Sequence, residues 1–94
     1  MEILPAAESG LLKIRQKHGA EAFDESLEDL LALGEDPTPL DSQRMEHTKD
    51  HYRIYIYRSL YRAVYRVLLM KRKVLVSDIG PRSSVYLKGG YERW

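Results

Sequence analysis

Residues 52–86 read YRIYIYRSLYRAVYRVLLMKRKVLVSDIGPRSSVY, and this stretch decides the fold. Apolar and polar side chains alternate along residues 52–57 and again along residues 61–69. A period of two is the pattern of a β-strand that buries one face and leaves the other open. The link at residues 58–60 is long enough only for a hairpin, so the two strands are predicted to be antiparallel neighbours.

A third apolar run, residues 74–79, follows the basic turn at residues 71–73. It ends at Gly80-Pro81, because proline cannot donate the backbone hydrogen bond that a continuing strand needs. The sequence therefore predicts a meander of three strands. The side chains on the face opposite the apolar one are predicted to be Arg53, Tyr55, Tyr57, Arg62, Val64 and Arg66.

This arginine- and tyrosine-rich face has two interpretations. Arginines on an open sheet face are commonly ordinary solvated residues, and each of them taken singly fits that description. Arginine and tyrosine together are also the side chains that pair with phosphates and stack on bases. The combination favours a surface that binds a phosphate-containing partner.

Two helices are predicted ahead of the strands. The first begins at Pro5, which suits the opening position of a helix, and ends at His18. Its apolar positions form a loose stripe: Ala6, Ala7, Leu11, Leu12 and Ile14. The second covers residues 20–33, and spacings of three and four predict its core face: Phe23, Leu27, Leu30 and Leu31. Ahead of both helices, Ile3-Leu4 is at most the stub of a strand.

Charge is divided unevenly along the chain. Residues 1–48 hold 4 lysines and arginines against 11 aspartates and glutamates, a balance of −7, and residues 49–94 hold 11 against 3, a balance of +8. The second half therefore favours an anionic partner and the first half a cationic one. Two halves that neutralise each other on folding would give the same composition. The acidic face of the second helix likewise fits either a docking surface or a solvated face.

Several classes of protein are excluded or disfavoured. The 94 residues are expected to form a single domain, residues 1–94. The sequence has no cysteine, which excludes disulfides and thiolate metal sites. It also has no apolar run long enough for a membrane span and no secretion signal at its start, so a cytoplasmic protein is expected. His47 and His51 lie four residues apart without a third ligand nearby, and neither a metal nor another cofactor is expected.

The residues best suited to chemistry are three arginines and a tyrosine. Arg53 and Arg62 are predicted to project from adjacent strands toward one face, and Arg82 follows the third strand, where a loop can bring it over that face. Arg62 and Arg82 are expected to be exposed. Tyr86 comes four residues after Arg82. Guanidinium groups stay charged at neutral pH, so they can hold a phosphate and stabilise the charge that develops on it during a displacement.

In its order of elements the sequence resembles the RelE/ParE superfamily of toxin–antitoxin toxins. Two helices are followed by YRI, YRAVY, a basic turn, an apolar strand and IGPRSSVYLK, and the Pro-Arg before the final Tyr-Leu-Lys resembles archaeal RelE-type members in particular. The resemblance covers roughly residues 5–88. It implies an α+β fold in which an N-terminal helical hairpin packs on a twisted antiparallel sheet of three to four strands.

The resemblance also implies an activity. RelE-type members are endoribonucleases that cut messenger RNA in the ribosomal decoding site, without a metal, by attack of a ribose 2′-hydroxyl on the neighbouring phosphate. Matched position by position, Arg53 and Arg62 grip the scissile phosphate, and Arg82 binds phosphate and protonates the leaving group. Tyr86 stacks on the substrate or orients it. Further RNA contacts are expected from Tyr55, Arg66 and Lys88.

The resemblance leaves the general base open and allows other functions. Members of the family carry a lysine two positions after the residue matched by Arg53, and Tyr55 stands there; Lys49, His51 and Tyr55 are all candidates for the base. The expected partners are a cognate antitoxin, in an assembly that includes a heterotetramer among its possibilities, and the ribosome with its messenger. The alternatives are a ParE-like inhibitor of DNA gyrase without nuclease activity and an inactive RNA-binding or complex-forming relic.

Overall fold

The computed structural model describes residues 1–45 and 50–82. They form two helices packed on one five-stranded sheet, the predicted α+β arrangement. In chain order the elements are β1 (Glu2–Ile3), α1 (Pro5–His18), α2 (Ala20–Glu35), β2 (Gln43–Arg44), β3 (His51–Ile56), β4 (Tyr61–Leu68), a 3₁₀ turn (Leu69–Lys71) and β5 (Lys73–Pro81). Within the described part of the chain, neither helix is long and apolar enough to cross a membrane.

The sheet has more strands than the three to four predicted, and one of them is parallel. Its order is β1-β5-β4-β3-β2; β2 to β5 pair in antiparallel fashion, and β1 pairs with β5 in parallel. β1 begins at Glu2, one residue before the predicted stub. β1 and β2 contain two residues each, and an alternating pattern cannot show in so short a segment.

The alternation in β3 and β4 separates the two faces of the sheet as predicted, except at Tyr57. This residue was expected on the open face but packs against the core, because the strand ends at Ile56 and the turn redirects the chain. The core residues that these strands contribute are Ile54, Ile56, Tyr61, Ala63, Tyr65 and Val67. Tyr52 lies opposite Tyr65, and their rings stack with centroids 5.8 Å apart. The Tyr65 side chain is fully buried, and its hydroxyl donates a hydrogen bond to the carbonyl oxygen of Pro37 at 2.8 Å. Burial raises the pKa of Tyr65 to about 12.

One extra residue interrupts the pairing of β5 with β4. Val64 lies opposite Asp78. The next residue of β4, Tyr65, lies opposite Val76. Ser77 therefore has no counterpart, and its hydroxyl donates a hydrogen bond to the carbonyl oxygen of Val64 at 3.1 Å. This is a β-bulge, in which the strand bends and its alternation changes phase.

The bulge allows β5 to keep apolar side chains in the core along its whole length. Val74 and Val76 face the helices before the bulge, and Ile79 faces them after it, although the three residues do not share one period of two. Because paired residues point to the same side of a sheet, Gly80 lies beside Arg62 on the open face. The residues that follow Gly80 are therefore brought to the open face at the position of Arg62.

Helix α1 lies very close to β5. Its buried residues recur at spacings of three and four: Ala7, Gly10, Leu11 and Ile14. Gly10 sits against the backbone of Ile79, and a Cβ atom at this position would overlap the carbonyl group of Ile79. The glycine that weakens the helix in isolation is thus what lets the helix approach the sheet. Ala6 and Leu12 of the predicted stripe are exposed.

The core face of helix α2 overlaps only in part with the predicted one. Its buried residues are Ala22, Ser26, Leu30 and Leu33. Phe23 and Leu27 are only half-buried, and Leu31 is 57% exposed. The prediction is confirmed for Leu30 and, in part, for Phe23, which packs against the core. It was wrong for Leu31 and missed Ser26, because it counted only large apolar residues. Ser26 is compatible with full burial because its hydroxyl donates a hydrogen bond to the Ala22 carbonyl oxygen at 2.7 Å.

The two helices meet at a sharp junction. As predicted, α1 ends at His18, and the next residue, Gly19, has φ at +100°, a conformation that side chains rarely adopt. His18 lies at the end of α1 with its Nε2 atom 3.0 Å from the Tyr61 hydroxyl oxygen. Its ring also contacts Tyr57, with centroids 5.3 Å apart. The junction of the helical hairpin is therefore fixed to the start of β4.

Substitution of Gly10 tests the close approach of α1 to the sheet. Alanine favours a helix interior by about 1 kcal/mol, but at position 10 the overlap with Ile79 should outweigh this gain. We expect Gly10→Ala to lower the free energy of unfolding by about 1–2 kcal/mol in urea denaturation. Gly34→Ala is the matched control, because a Cβ at Gly34 meets nothing within 4 Å, and it should be neutral or stabilising. Equal stabilisation by the two substitutions would contradict the proposed contact.

Candidate functional site

Tyr55 and Arg62 lie opposite each other on β3 and β4, on the open face of the sheet. Arg62 donates a hydrogen bond from its Nη2 atom to the Tyr55 hydroxyl oxygen at 2.7 Å. Arg62 is only 9% exposed, so the expectation that it is exposed was wrong. The reason is its position on β4, which has a long strand on each side. Tyr55 lies beyond the short pairing with β2 and stays 38% exposed.

Arg82 reaches the same place from the end of β5. Its backbone N–H donates a hydrogen bond to the carbonyl oxygen of Leu60 at 3.3 Å, which holds the chain against the β3–β4 hairpin. Its Cζ atom lies 4.7 Å from the centroid of the Tyr55 ring, and the Cζ atom of Arg62 lies 4.9 Å from the same centroid. Two guanidinium groups therefore contact one phenol, and Arg82 is exposed as predicted. These three residues are called the Tyr55 cluster below.

The cluster changes the acidity of its phenol. The hydrogen bond from Arg62 is the largest cause that lowers the pKa of Tyr55 below its ordinary value, and the charges of Arg62 and Arg82 act in the same direction. Partial burial opposes them, because it disfavours the phenolate. The net direction is downward. A tyrosine with this environment gives up its proton more readily than a solvated one.

Arg53 borders the Tyr55 cluster on the side of β2. It lies opposite Gln43, and its Nε atom donates a hydrogen bond to the Gln43 Oε1 atom at 2.8 Å. Arg53, Tyr55 and Arg62 line one small cavity together with Gln43. Three residues predicted for contacts with phosphate or RNA thus converge. Gln43 was not foreseen, because the sequence around β2 shows no period.

Arg66 shares the open face but lies apart from the cluster. It is four residues beyond Arg62 on β4, a distance of about 13 Å along a strand. Its Nη2 atom is 2.9 Å from Asp50 Oδ2, and the Asp50 Oδ1 atom is 3.0 Å from the Nδ1 atom of His51. The hydrogen bond from Arg66 is the main cause that lowers the pKa of Asp50. The structure therefore places Arg66 in an ion pair at the other end of the face.

The structure separates two of the three candidates for the general base. Tyr55 lies in the cluster, whereas His51 pairs with Arg66 at the distant end of β3. Lys49 lies outside the described residues, as do Tyr86 and Lys88 of the predicted site. Among the described residues, no three histidine or carboxylate side chains converge closely enough to bind a metal ion.

The hairpin beside the cluster has an unusual backbone. Tyr57, Arg58 and Ser59 have φ values of +47°, +56° and +63°, a left-handed conformation that costs energy in residues with a side chain. Helix α2 holds the turn in place: the Tyr57 N–H donates to Asp29 Oδ2 at 2.9 Å, and Arg58 Nε lies 3.3 Å from Glu25 Oε1. Two carboxylates of the acidic face of α2, Asp29 and Glu25, therefore stabilise the hairpin that holds Arg82.

The rest of that acidic face borders a cleft. The cleft has a volume of about 570 Å³ and lies between α2, the segment that follows it and the β3–β4 hairpin. Its carboxylates are Glu28, Asp29, Glu35, Asp36 and Asp41. Tyr55 lines this cleft and also the small cavity that contains Arg53 and Arg62. It therefore lies where the acidic surface meets the basic one.

The fold is similar to that of solved toxin structures. Neither a protein-family profile nor a curated protein matches the sequence. Among solved structures, the isolated E. coli RelE toxin is 26% identical, with 99% of this chain and 96% of that chain covered and a TM-score of 0.64. The chain is thus similar to RelE toxins over nearly its whole length, which supports membership of the RelE-type superfamily.

Two further structures show the same architecture. The toxin of the intact E. coli RelBE toxin–antitoxin complex is 26% identical over 85% of this chain and 92% of that one, with a TM-score of 0.63. The archaeal RelE–RelB complex from Pyrococcus horikoshii OT3 contains a chain that is 22% identical, with coverages of 89% and 94% and a TM-score of 0.67. At that identity the archaeal comparison shows the RelE fold alone.

Ultraviolet titration of the tyrosines tests the Tyr55 cluster. We expect the Tyr55 phenol, isolated as the difference between the parent and Tyr55→Phe, to titrate below the ordinary value of 10.0. Arg82→Ala should raise that pKa, because it removes one of the two positive charges beside the ring. Tyr65 provides the contrast within the same molecule and should titrate near 12. A Tyr55 pKa at or above 10.0 would contradict the geometry.

Proposed function

We propose that this chain is the toxin of a type II toxin–antitoxin pair and a metal-independent endoribonuclease that cuts messenger RNA in the ribosomal decoding site. The observation that carries the proposal is the convergence of Arg53, Arg62 and Arg82 around Tyr55 on the open face of the sheet. The similarity to solved RelE toxins supports the biological context.

The proposed reaction needs groups that hold a phosphate and stabilise the charge on it. Arg62 and Arg82 supply two guanidinium groups at one place, and Arg53 adds a third at its border. Charge-assisted hydrogen bonds from such groups become stronger as the phosphate takes on the additional charge of a pentavalent transition state. The attacking 2′-hydroxyl belongs to the substrate, so the protein does not have to provide a nucleophile.

The ribosome would contribute orientation. In-line attack requires the 2′-oxygen, the phosphorus and the leaving 5′-oxygen to be aligned, and free RNA rarely holds that geometry. A messenger fixed in the decoding site can be held close to it, and orientation of this kind lowers a barrier by several kcal/mol. We therefore expect cleavage of messenger on a ribosome and little cleavage of free RNA.

An antitoxin is the proposed protein partner. The neighbouring solved structures include RelE toxins bound to RelB antitoxins. In the chain described here, the edge strands β1 and β2 are short, and Arg82 and part of Arg53 are accessible beside them. An unpaired sheet edge and a basic face can both be covered by a segment that is rich in aspartate and glutamate.

Substitution of the arginines tests the nuclease. We expect Arg62→Ala and Arg82→Ala each to reduce cleavage by about 10²- to 10³-fold, the usual effect of removing one group that stabilises a transition state. The measurement is primer extension on programmed ribosomes with an empty decoding site, together with relief of growth arrest on expression. Arg15→Ala, an exposed residue on α1, is the matched control.

Folding must be checked for each variant by thermal denaturation, above all for Arg62, because its side chain is buried. Arg82→Ala is the cleaner variant, since Arg82 is exposed. A folded double variant that arrests growth as strongly as the parent would refute the nuclease assignment. Intact messenger with the parent protein at stoichiometric concentration would do the same.

Protection of arginines by the antitoxin is a second expected outcome. An arginine-specific reagent should label Arg53 and Arg82 in the free toxin and label them less in the complex, because the partner covers the basic face. Arg72 lies at the opposite end of β4, is exposed, and should be labelled equally in both samples. Equal labelling of Arg82 with and without the partner, measured by mass spectrometry, would count against this mode of binding.

A further inference from the structure

We propose that Tyr55 is the proton acceptor of the cleavage reaction and takes the proton of the attacking 2′-hydroxyl. The inference rests on the proposed nuclease function and adds to it the one catalytic role that the arginines cannot fill. Guanidinium groups remain protonated at neutral pH and are therefore poor general bases.

The position of Tyr55 fits this role. Its hydroxyl oxygen is 2.7 Å from Arg62 Nη2, and the Cζ atom of the exposed Arg82 lies 4.7 Å from the centroid of its ring, so a phosphate held by Arg82 would lie close to that oxygen. A 2′-hydroxyl aligned for attack lies about 3–3.5 Å from the phosphorus. A phosphate held beside Tyr55 would therefore bring that hydroxyl within the hydrogen-bond reach that a general base requires. The Tyr55 side chain is also accessible, whereas Arg62 behind it is buried.

Charged groups surround Tyr55 from several elements and act in opposite directions. Arg53 from β3, Arg62 from β4, Arg58 from the hairpin and Arg82 after β5 favour the phenolate. On the other side, the five carboxylates of the acidic cleft favour the neutral phenol. The contact with Arg62 and Arg82 is closer, and the pKa of Tyr55 falls as a result. The phenolate of Tyr55 is therefore easier to form than that of a solvated tyrosine.

Binding of the substrate would strengthen the base. The phosphate brings negative charge to Arg62 and Arg82, which reduces the positive potential that these residues exert on the phenolate. The proton affinity of Tyr55 then rises while its oxygen lies next to the 2′-hydroxyl. The cluster thus favours deprotonation of Tyr55 before the substrate binds and proton transfer to Tyr55 afterwards.

The proposed step is balanced in atoms and charge. The Tyr55 phenolate takes the 2′-hydroxyl proton as the 2′-oxygen forms a bond to phosphorus. The bond between phosphorus and the 5′-oxygen breaks, and the leaving oxygen takes a proton from water. The products are a 2′,3′-cyclic phosphate and a 5′-hydroxyl, and the neutral Tyr55 returns its proton to solvent.

A purely positional role for Tyr55 would have a different signature. Tyr55 could serve only to hold Arg62 and Arg82, through its hydroxyl and its ring. Loss of the hydroxyl would then lower the rate by the same factor at every pH. A general base instead gives the rate an acidic limb, because its protonated form is inactive.

The test is single-turnover cleavage of messenger on programmed ribosomes, measured as a function of pH for the parent, Tyr55→Phe, Tyr55→His and Tyr52→Phe. We expect Tyr55→Phe to be about 10²- to 10⁴-fold slower and to lose the acidic limb. Tyr55→His should recover part of the rate, with a limb near pH 6.5. Tyr52→Phe, a tyrosine that stacks on Tyr65 outside the cluster, should behave as the parent.

The possible results separate the two proposals. A parent that never cuts on the ribosome refutes the nuclease and with it the role of Tyr55. An active parent together with an equally active Tyr55→Phe refutes only the role of Tyr55. A slower Tyr55→Phe that keeps the pH profile of the parent, without recovery in Tyr55→His, also overturns the inference, because it shows a positional role. Melting temperatures equal to that of the parent establish that the variants are folded.

Discussion

The site depends on the β-bulge at Ser77. Without this extra residue, the side chains of β5 after position 77 would change sides, Ile79 would leave the core, and the chain would carry Arg82 toward the helices. With it, Gly80 lies beside Arg62, and Arg82 continues onto the face that holds Tyr55. A single unpaired residue thus satisfies two demands, a continuous core on one face and converging guanidinium groups on the other.

The fold could be predicted from the sequence wherever a pattern is long enough to repeat. β3, β4 and the hairpin between them follow from strict alternation, and α1 follows from the proline at its start and the glycine after its end. β1 and β2 contain two residues each, and each depends on pairing with a longer strand, β5 and β3 respectively, so neither has a pattern of its own. The core face of α2 was predicted correctly at Leu30, but Ser26 was missed because its hydroxyl can be buried through a bond to its own helix.

The candidate site was predictable in its residue types and less so in its geometry. The alternation of side chains along β3 and β4 is enough to assign Arg62 and Tyr55 to one face, and the structure places them in direct contact. The alternation does not indicate that Arg62 is buried, since burial depends on the strands on both sides. It also does not distinguish Arg62 from Arg66, which lies on the same face but is paired with Asp50. Position along a strand and the available partners, both tertiary properties, decide which arginine joins the cluster.

The left-handed hairpin links the stability of the helices to the geometry of the site. Its conformation is costly for residues with side chains, and contacts from α2 through Asp29 and Glu25 help to offset that cost. The same hairpin provides, through Leu60, the carbonyl that holds Arg82. If α2 were to separate transiently from the sheet, the hairpin would lose these contacts, and the hold on Arg82 would weaken although β4 and β5 remained paired. The helical hairpin and the cluster therefore belong to one cooperative unit, in which local unfolding on one side of the sheet disturbs the other.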